Sequence, residues 1–194
     1  MRKRVFFIHG WGGGSEEGWR PWLKERLEAK GFTVINLSMP DTDYPRMNEW
    51  VATLSDAVGE PDENCYFVGH SLGCITILRY LESLPPTTMV RGLPEGKKVG
   101  GALLVAAFTQ DLGINEIKNF FIKDINWEKI KKHCDNFTVL LSDNDHYVPI
   151  TYGDIFKEKL NAKILIKHDL GHFNGNDVAR ELPPVLKAVI ELSQ

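Results

Sequence analysis

Five residues pose the chemical question. Gly69-His70-Ser71-Leu72-Gly73 sets a hydroxyl between two glycines, after an apolar run that ends at Val68 and before a segment with helical spacing. A G-x-S-x-G in strand–turn–helix context projects its serine above a sheet edge on a strained backbone, and the small residues let strand and helix approach. Such a hydroxyl is a poor nucleophile at neutral pH. It needs a neutral imidazole to take its proton and a carboxylate to hold that imidazole in one tautomer. Both types follow later in the chain. Ser142-Asp143-Asn144-Asp145-His146-Tyr147-Val148-Pro149 offers acids, and His168-Asp169-Leu170-Gly171-His172-Phe173 offers imidazoles. His172 is the expected base, because Gly171 frees the backbone to swing its ring over the sheet edge. His168, expected at a strand end among core neighbours, and His146 are its rivals. Asp145 is the preferred acid, because Val148-Pro149 follows and leaves it in an exposed turn. Asp143, closer to its strand, stays open as the alternative, and Asp169 lies in the wrong loop. The helix after Ser71 aims its unsatisfied N–H groups beside the hydroxyl, so the N–H of Leu72 is a donor for a developing oxyanion. The loop His9-Gly10-Trp11-Gly12-Gly13-Gly14-Ser15 bares its backbone, and a second donor comes from the N–H of Trp11 or, failing that, of Gly12.

The elements that must position these groups are legible as short apolar runs. Val5–Ile8, Val34–Leu37, Tyr66–Val68, Val99–Ala106, Val139–Leu141 and Ile164–Ile166 read as six strands. None alternates strictly between apolar and polar residues, as expected of a parallel sheet covered on both faces by helices. Trp19–Lys30 carries Trp22, Leu23 and Leu27 at helical spacing, with Pro21 in a first turn and Gly31 past the end. Further helices are expected over Met47–Val58, Leu72–Leu84, Trp127–Cys134, Thr151–Leu160 and Asp177–Leu192. Arg91–Lys98, with Gly92, Pro94 and Gly96, reads as a surface loop. Phe108–Asn126 lacks a convincing period and reads as a short lid-like insertion within one domain of residues 1–194. Aromatics on the loops at the sheet's C-terminal edge suggest a substrate pocket, with Trp11, Tyr147 and Phe173 as its expected lining.

Composition narrows the classes. The chain of 194 residues carries 23 Lys+Arg against 26 Asp+Glu, for a formal charge of -3, with 43% hydrophobic residues and three Cys. A chain of this size buries roughly 70% of its unfolded surface, so it needs no disulfide or metal staple. The balanced charge leaves no electrostatic footprint for nucleic acid or an anionic membrane surface. No run approaches the ~20 apolar residues of a membrane span. The glycine-rich loop after the first strand has neither a G-x-G-x-x-G register nor a following Gly-Lys-Ser/Thr, and the chain lacks H-E-x-x-H and C-x-x-C. A cytoplasmic enzyme without metal or cofactor, acting on a small acyl substrate, is the expectation. A protein scaffold that keeps an inherited pocket is the alternative.

Together, His9-Gly10-Trp11, Gly69-His70-Ser71-Leu72-Gly73, Asp145-His146-Tyr147-Val148-Pro149 and Gly171-His172-Phe173 resemble the α/β-hydrolase superfamily, whose triad runs in the chain order Ser, Asp, His. The length and the runs Asn36-Leu37-Ser38-Met39-Pro40 and Trp127-Glu128-Lys129-Ile130 make the chain similar to small serine hydrolases of the retinoblastoma-binding serine hydrolase type and their short bacterial relatives. The resemblance implies a minimal three-layer α/β-hydrolase fold, with a six-stranded, mostly parallel sheet that lacks the first two strands of the larger fold. It implies Ser71, Asp145 and His172 as the triad of a serine hydrolase acting on esters, thioesters or amides. It also favours Asp145 over Asp143, since the matching acid stands four residues before the loop proline, as Asp145 does before Pro149. It brings no settled substrate.

Overall fold

The computed structural model describes residues 2–85, 88–90, 93–95, 98–174 and 180–194. Six strands, β1 (Arg4–Ile8), β2 (Thr33–Leu37), β3 (Cys65–His70), β6 (Gly101–Val105), β7 (Phe137–Ser142) and β8 (Lys163–Lys167), pair in the order β2-β1-β3-β6-β7-β8. Every pairing is parallel. In the chain between β3 and β6 come two short strands, β4 (Thr88–Val90) and β5 (Leu93–Glu95), which pair antiparallel; β5 falls within the expected surface loop Arg91–Lys98. Residues 91, 92, 96 and 97 of that loop, and the expected helix start at residues 177–179, lie outside the described residues.

Four of the apolar runs become the central strands β1, β3, β6 and β7, because both of their faces are covered. In β1, Phe6 and Ile8 pack into one core while Val5 and Phe7 pack into the other. In β7, Val139 and Leu141 face the first core and Leu140 the second. Full burial of one such side chain contributes roughly 1.5–3 kcal/mol. Helices α1 (Arg20–Glu28) and α6 (Pro183–Leu192) cover one face. The helices α2 (Met47–Val58), α3 (Leu72–Ser83), α4 (Trp127–His133) and α5 (Tyr152–Leu160) cover the other. The result is the minimal three-layer α/β-hydrolase fold that the resemblance implies. Among the described residues no helix is long and apolar enough to cross a membrane.

Phe108–Asn126 is a loop with one 3-10 turn, Asn115–Phe120, in which Ile117 and Phe120 are buried. Two polar residues hold it down. Arg79 of α3 donates from Nε to the Phe120 carbonyl (3.0 Å) and from Nη1 to that of Asp124 (3.2 Å). Asn119 donates to the Pro45 carbonyl (2.8 Å) and accepts the Met47 N–H at the start of α2 (2.7 Å).

Candidate active site

Strand order reverses between β1 and β3, since β2 lies on one side of β1 and the chain then continues outward from β3 on the other. In a parallel sheet this reversal opens a crevice at the carboxyl ends of the strands. Both groups singled out in the sequence are there: the glycine-rich loop leaves β1, and Ser71 follows β3 directly. Ser71 has φ 54° and ψ -119°, conformational strain at a non-glycine residue of the kind that collects at functional sites. It is pinned by its N–H to the Val105 carbonyl (2.9 Å) and by its own carbonyl to the Cys74 N–H (2.9 Å). The flanking glycines permit this turn by close approach. A Cβ on Gly69 would lie 2.8 Å from the Cys74 nitrogen, and one on Gly73 only 2.2 Å from the Ile8 carbonyl oxygen. The second clash is with backbone of a central strand, which cannot yield. Gly73→Ala is therefore expected to destabilise the fold by about 3 kcal/mol or more, which lowers the melting midpoint of a chain this long by roughly 6–12 °C. An unshifted thermal melt would contradict the packing described.

Two later loops bring their side chains to Ser71. Nε2 of His172 lies 2.9 Å from Oγ of Ser71, and Nδ1 of the same ring lies 2.8 Å from Oδ2 of Asp145. The side chain of Asp145 is 1% exposed and that of His172 8%. The other oxygen of Asp145 accepts the N–H groups of Tyr147 (2.8 Å) and Val148 (3.0 Å). Burial alone would push this carboxyl up, yet the bond to His172, the proximity of that ring and the two N–H groups together hold it below the usual carboxylate range. Nδ1–H therefore faces an anion, and the lone pair of Nε2 faces the Ser71 hydroxyl.

The structure corrects three expectations here. Asp145 does stand in an exposed turn, but its side chain is not exposed, because two backbone N–H groups fold it inward; Asp143 is the half-exposed carboxylate. His168 is not held among core neighbours. Its strand, β8, is the sheet's edge and ends in Lys167, so its ring is 83% exposed and pairs with Asp143 at 2.5 Å. Phe173 does not line the cleft. A positive φ of 56° turns it inward, where it is fully buried beside Trp19, whose Nε1–H donates to the Phe173 carbonyl (2.7 Å). The His146 ring lies tilted against that of Tyr147, with centroids 4.3 Å apart and an interplanar angle of 47°. Trp11 and Tyr147 do line the cleft, and the Tyr147 ring meets that of His172 edge-on at 5.0 Å.

For the backbone donors, the N–H groups of Trp11 and Leu72 have no hydrogen-bond partner among the described residues, whereas that of Gly12 donates to the Thr42 carbonyl at 2.9 Å. The loop that carries Trp11 is set by His9, whose Nδ1–H donates to the Gly10 carbonyl (2.8 Å) and whose Nε2 accepts the Met39 N–H (3.1 Å). Trp11 itself donates from Nε1 to the Asp43 carbonyl (2.9 Å).

Two positioning residues, Asn144 and His70, carry no signal in the sequence. Asn144 Oδ1 accepts from the Gly171 N–H and the Ser142 hydroxyl, both at 2.8 Å, which ties the acid loop to the imidazole loop. His70, the variable position of the serine motif, donates from Nε2 to the His172 carbonyl (2.8 Å) and is buried. No pattern marks either residue, since their partners lie in a different loop.

Burial pushes the pKa of His70 down to about 3, with the nearby His172 ring adding to the effect, and burial also lowers that of His9. Both are neutral when folded but take a proton near pH 6.5 when unfolded. The unfolded state therefore binds more protons below that pH, and stability falls on acidification, from about 6.5 down to about 3 for His70, by up to ~1.4 kcal/mol per pH unit per histidine. Asp145, with a lowered pKa, removes stability in the same direction at lower pH still. Urea melts at pH 7.5, 6 and 5 should show this fall, and His70→Gln should flatten it. Parallel slopes in the two proteins would contradict the assignment.

The cleft has a volume of about 570 Å³ and is lined by Trp11, Arg20, Ser71, Leu112, Tyr147 and His172, among others. Phe108, Ile114 and Ile117 extend its apolar wall, so the tied-down segment forms one side. Among the described residues no group of three His, Cys, Asp or Glu is placed to hold a metal ion. The three thiols are buried and unbridged; burial pushes Cys65 up to about 11 and raises Cys74 and Cys134 further, so none is a ready thiolate.

Comparison with known proteins converges on one family. The serine hydrolase family model matches residues 5–190. The chain is 34% identical over 186 residues to YdeN of Bacillus subtilis (strain 168), covering 95% of this chain and 93% of that protein. It is 29% identical over 192 residues to serine hydrolase RBBP9 of Rattus norvegicus, covering 96% and 95%. The crystal structure of the B. subtilis ydeN gene product superposes with a TM-score of 0.88 at 31% identity over 98% of both chains. Polyneuridine aldehyde esterase shares the fold, with a TM-score of 0.68 at 13% identity over 100% of both chains.

Proposed function

The chain belongs to the serine hydrolase family, and from that premise we propose that it cleaves a small ester, thioester or amide by passing the acyl group first to Ser71 and then to water. The observation that carries this reading is the single ring of His172, in reach of Ser71 Oγ on one side and of a buried, anionic Asp145 on the other.

The steps follow from that arrangement. As Ser71 Oγ attacks the substrate carbonyl, Nε2 of His172 takes the hydroxyl proton, and Asp145 stabilises the imidazolium that forms. The N–H groups of Leu72 and Trp11 receive the oxygen as it becomes negative; removing one such donor typically costs ~100- to 1,000-fold in rate. His172 then protonates the leaving alcohol, thiol or amine, which departs with formation of the acyl-enzyme. Water, deprotonated by the same ring, attacks the acyl carbonyl, and Ser71 leaves with the returned proton. No cofactor enters these steps. Trp11 and Tyr147 flank the entrance and the apolar wall from Phe108–Asn126 receives the acyl or alkyl group, within one catalytic domain whose unbridged thiols fit a reducing cytoplasm.

A fluorophosphonate probe tests the reading. Stoichiometric labelling that vanishes in Ser71→Ala is expected. A wild-type protein that stays unlabelled would contradict it and favour a scaffold that docks a partner.

A further inference from the structure

The cleft holds a charge that acyl transfer does not use. Arg20 opens α1 on the same face as Leu23 and Leu27, and all three are buried. Its side chain is only 6% exposed, and it lines the cleft that contains Ser71. A guanidinium carries five N–H donors. Nη2 contacts Oε2 of Glu17 at 3.3 Å, long for a charge-assisted bond, and Nε is buried with no partner among the described residues. Nor is Glu17 a committed counterion: its side chain is 63% exposed, and the same oxygen accepts the Gly14 N–H at 3.1 Å. Burial lowers the pKa of Arg20, opposed only in part by Glu17 and then Glu16.

A buried cation with most of its donors unspent is costly unless an anion meets it. The neighbouring imidazoles of His9 and His70 cannot serve, since an imidazole is neutral or cationic and never an anion at working pH. The cleft is the side from which a small anion reaches Arg20. A planar, singly charged carboxylate fits the guanidinium fork, whereas the carboxylates of Glu17 and Asp43, which line the same cleft, oppose a doubly charged phosphate.

We propose that Arg20 is a specificity-determining residue that binds a carboxylate of the substrate, so that the compound opened at Ser71 carries a free carboxylate on its acyl or its alcohol part. This rests on the acyl-enzyme reading above and narrows its substrate class.

Two pairs of esters test it: 4-nitrophenyl hemiglutarate against 4-nitrophenyl valerate, with the charge on the acyl part, and 3-carboxyphenyl butyrate against phenyl butyrate, with the charge on the alcohol part. The readout is the ratio of kcat/KM, anionic over neutral, with fluorophosphonate labelling counting the competent sites in each preparation. In at least one pair, Arg20→Met lowers this ratio roughly 10- to 100-fold, the range expected for hydrogen bonds to a charged group. An Arg20 that merely pins the glycine-rich loop through Glu17 would slow both members of a pair alike. A ratio unchanged in both pairs therefore overturns the proposal. If Arg20→Met does not fold, Arg20→Lys is read the same way, with a drop of about tenfold expected from loss of the bidentate fork. If wild-type Ser71 takes no label and no ester is cleaved, the acyl-enzyme reading has failed, and Arg20 is judged on binding alone: the singly charged valerate raises the melting midpoint of the wild type and not of Arg20→Met, and equal shifts or none overturn the carboxylate site.

Discussion

Ser71→Ala is expected to lower kcat on a chromogenic ester by about a million-fold, the scale seen when the nucleophile of a hydrolytic triad is removed. The three cysteines are buried with raised pKa values, and among the described residues no second serine or threonine lines the cleft with His172. The residual rate should come from the backbone donors and substrate binding alone. The fold should survive, because Ser71 is held through its backbone N–H and carbonyl, and alanine retains both. A folded Ser71→Ala protein that keeps more than about 1% of wild-type kcat would mean that the reaction uses another nucleophile.

The two aspartates of the acid loop should separate almost as widely. Asp145→Asn is expected to cost about 10,000-fold in kcat, because the His172 tautomer is lost. The direction follows from the surroundings of the carboxyl. Its Oδ1 accepts the N–H groups of Tyr147 and Val148, so the amide oxygen of an asparagine would take those bonds and turn the NH2 toward Nδ1 of His172. The ring would then carry its proton on Nε2 and could no longer accept the Ser71 hydroxyl. Asp143→Asn touches only the exposed His168 and the Asp169 N–H, and should stay within about twofold of wild type, as surface substitutions usually do. Steady-state rates on one ester decide the matter, and the opposite ranking would make Asp143 the acid.

The fold was readable because its strands are buried on both faces. Runs such as Val5–Ile8 and Val139–Leu141 have no period-2 alternation, and these two mark strands inside the sheet. Failures fall where position in the sheet matters more than local pattern. β8 looks apolar over Ile164–Ile166, yet as an edge strand it leaves Ile166 46% exposed and carries His168 into solvent. The serine motif and the two later loops that bring Asp145 and His172 beside it were legible from residue type and order, while the choice between Asp143 and Asp145 was left open by the residues alone. What local spacing could not convey was which way each side chain turns. Phe173 goes inward on a left-handed backbone, and Asp145 is buried by N–H groups two and three residues ahead of it. Arg20 did leave a signal. At i, i+3, i+7 it shares its helix face with Leu23 and Leu27, and a charge on an apolar stripe asks what it is paired with.

The most direct test of the account is to look for the covalent intermediate itself. Wild-type protein mixed with excess 4-nitrophenyl ester, acid-quenched within the first turnover and digested, should yield the peptide containing Ser71 heavier by one acyl group, with a matching burst of nitrophenolate. Turnover with no acylated peptide under conditions that trap it, or an acyl group found on a different residue, would contradict the account at its centre.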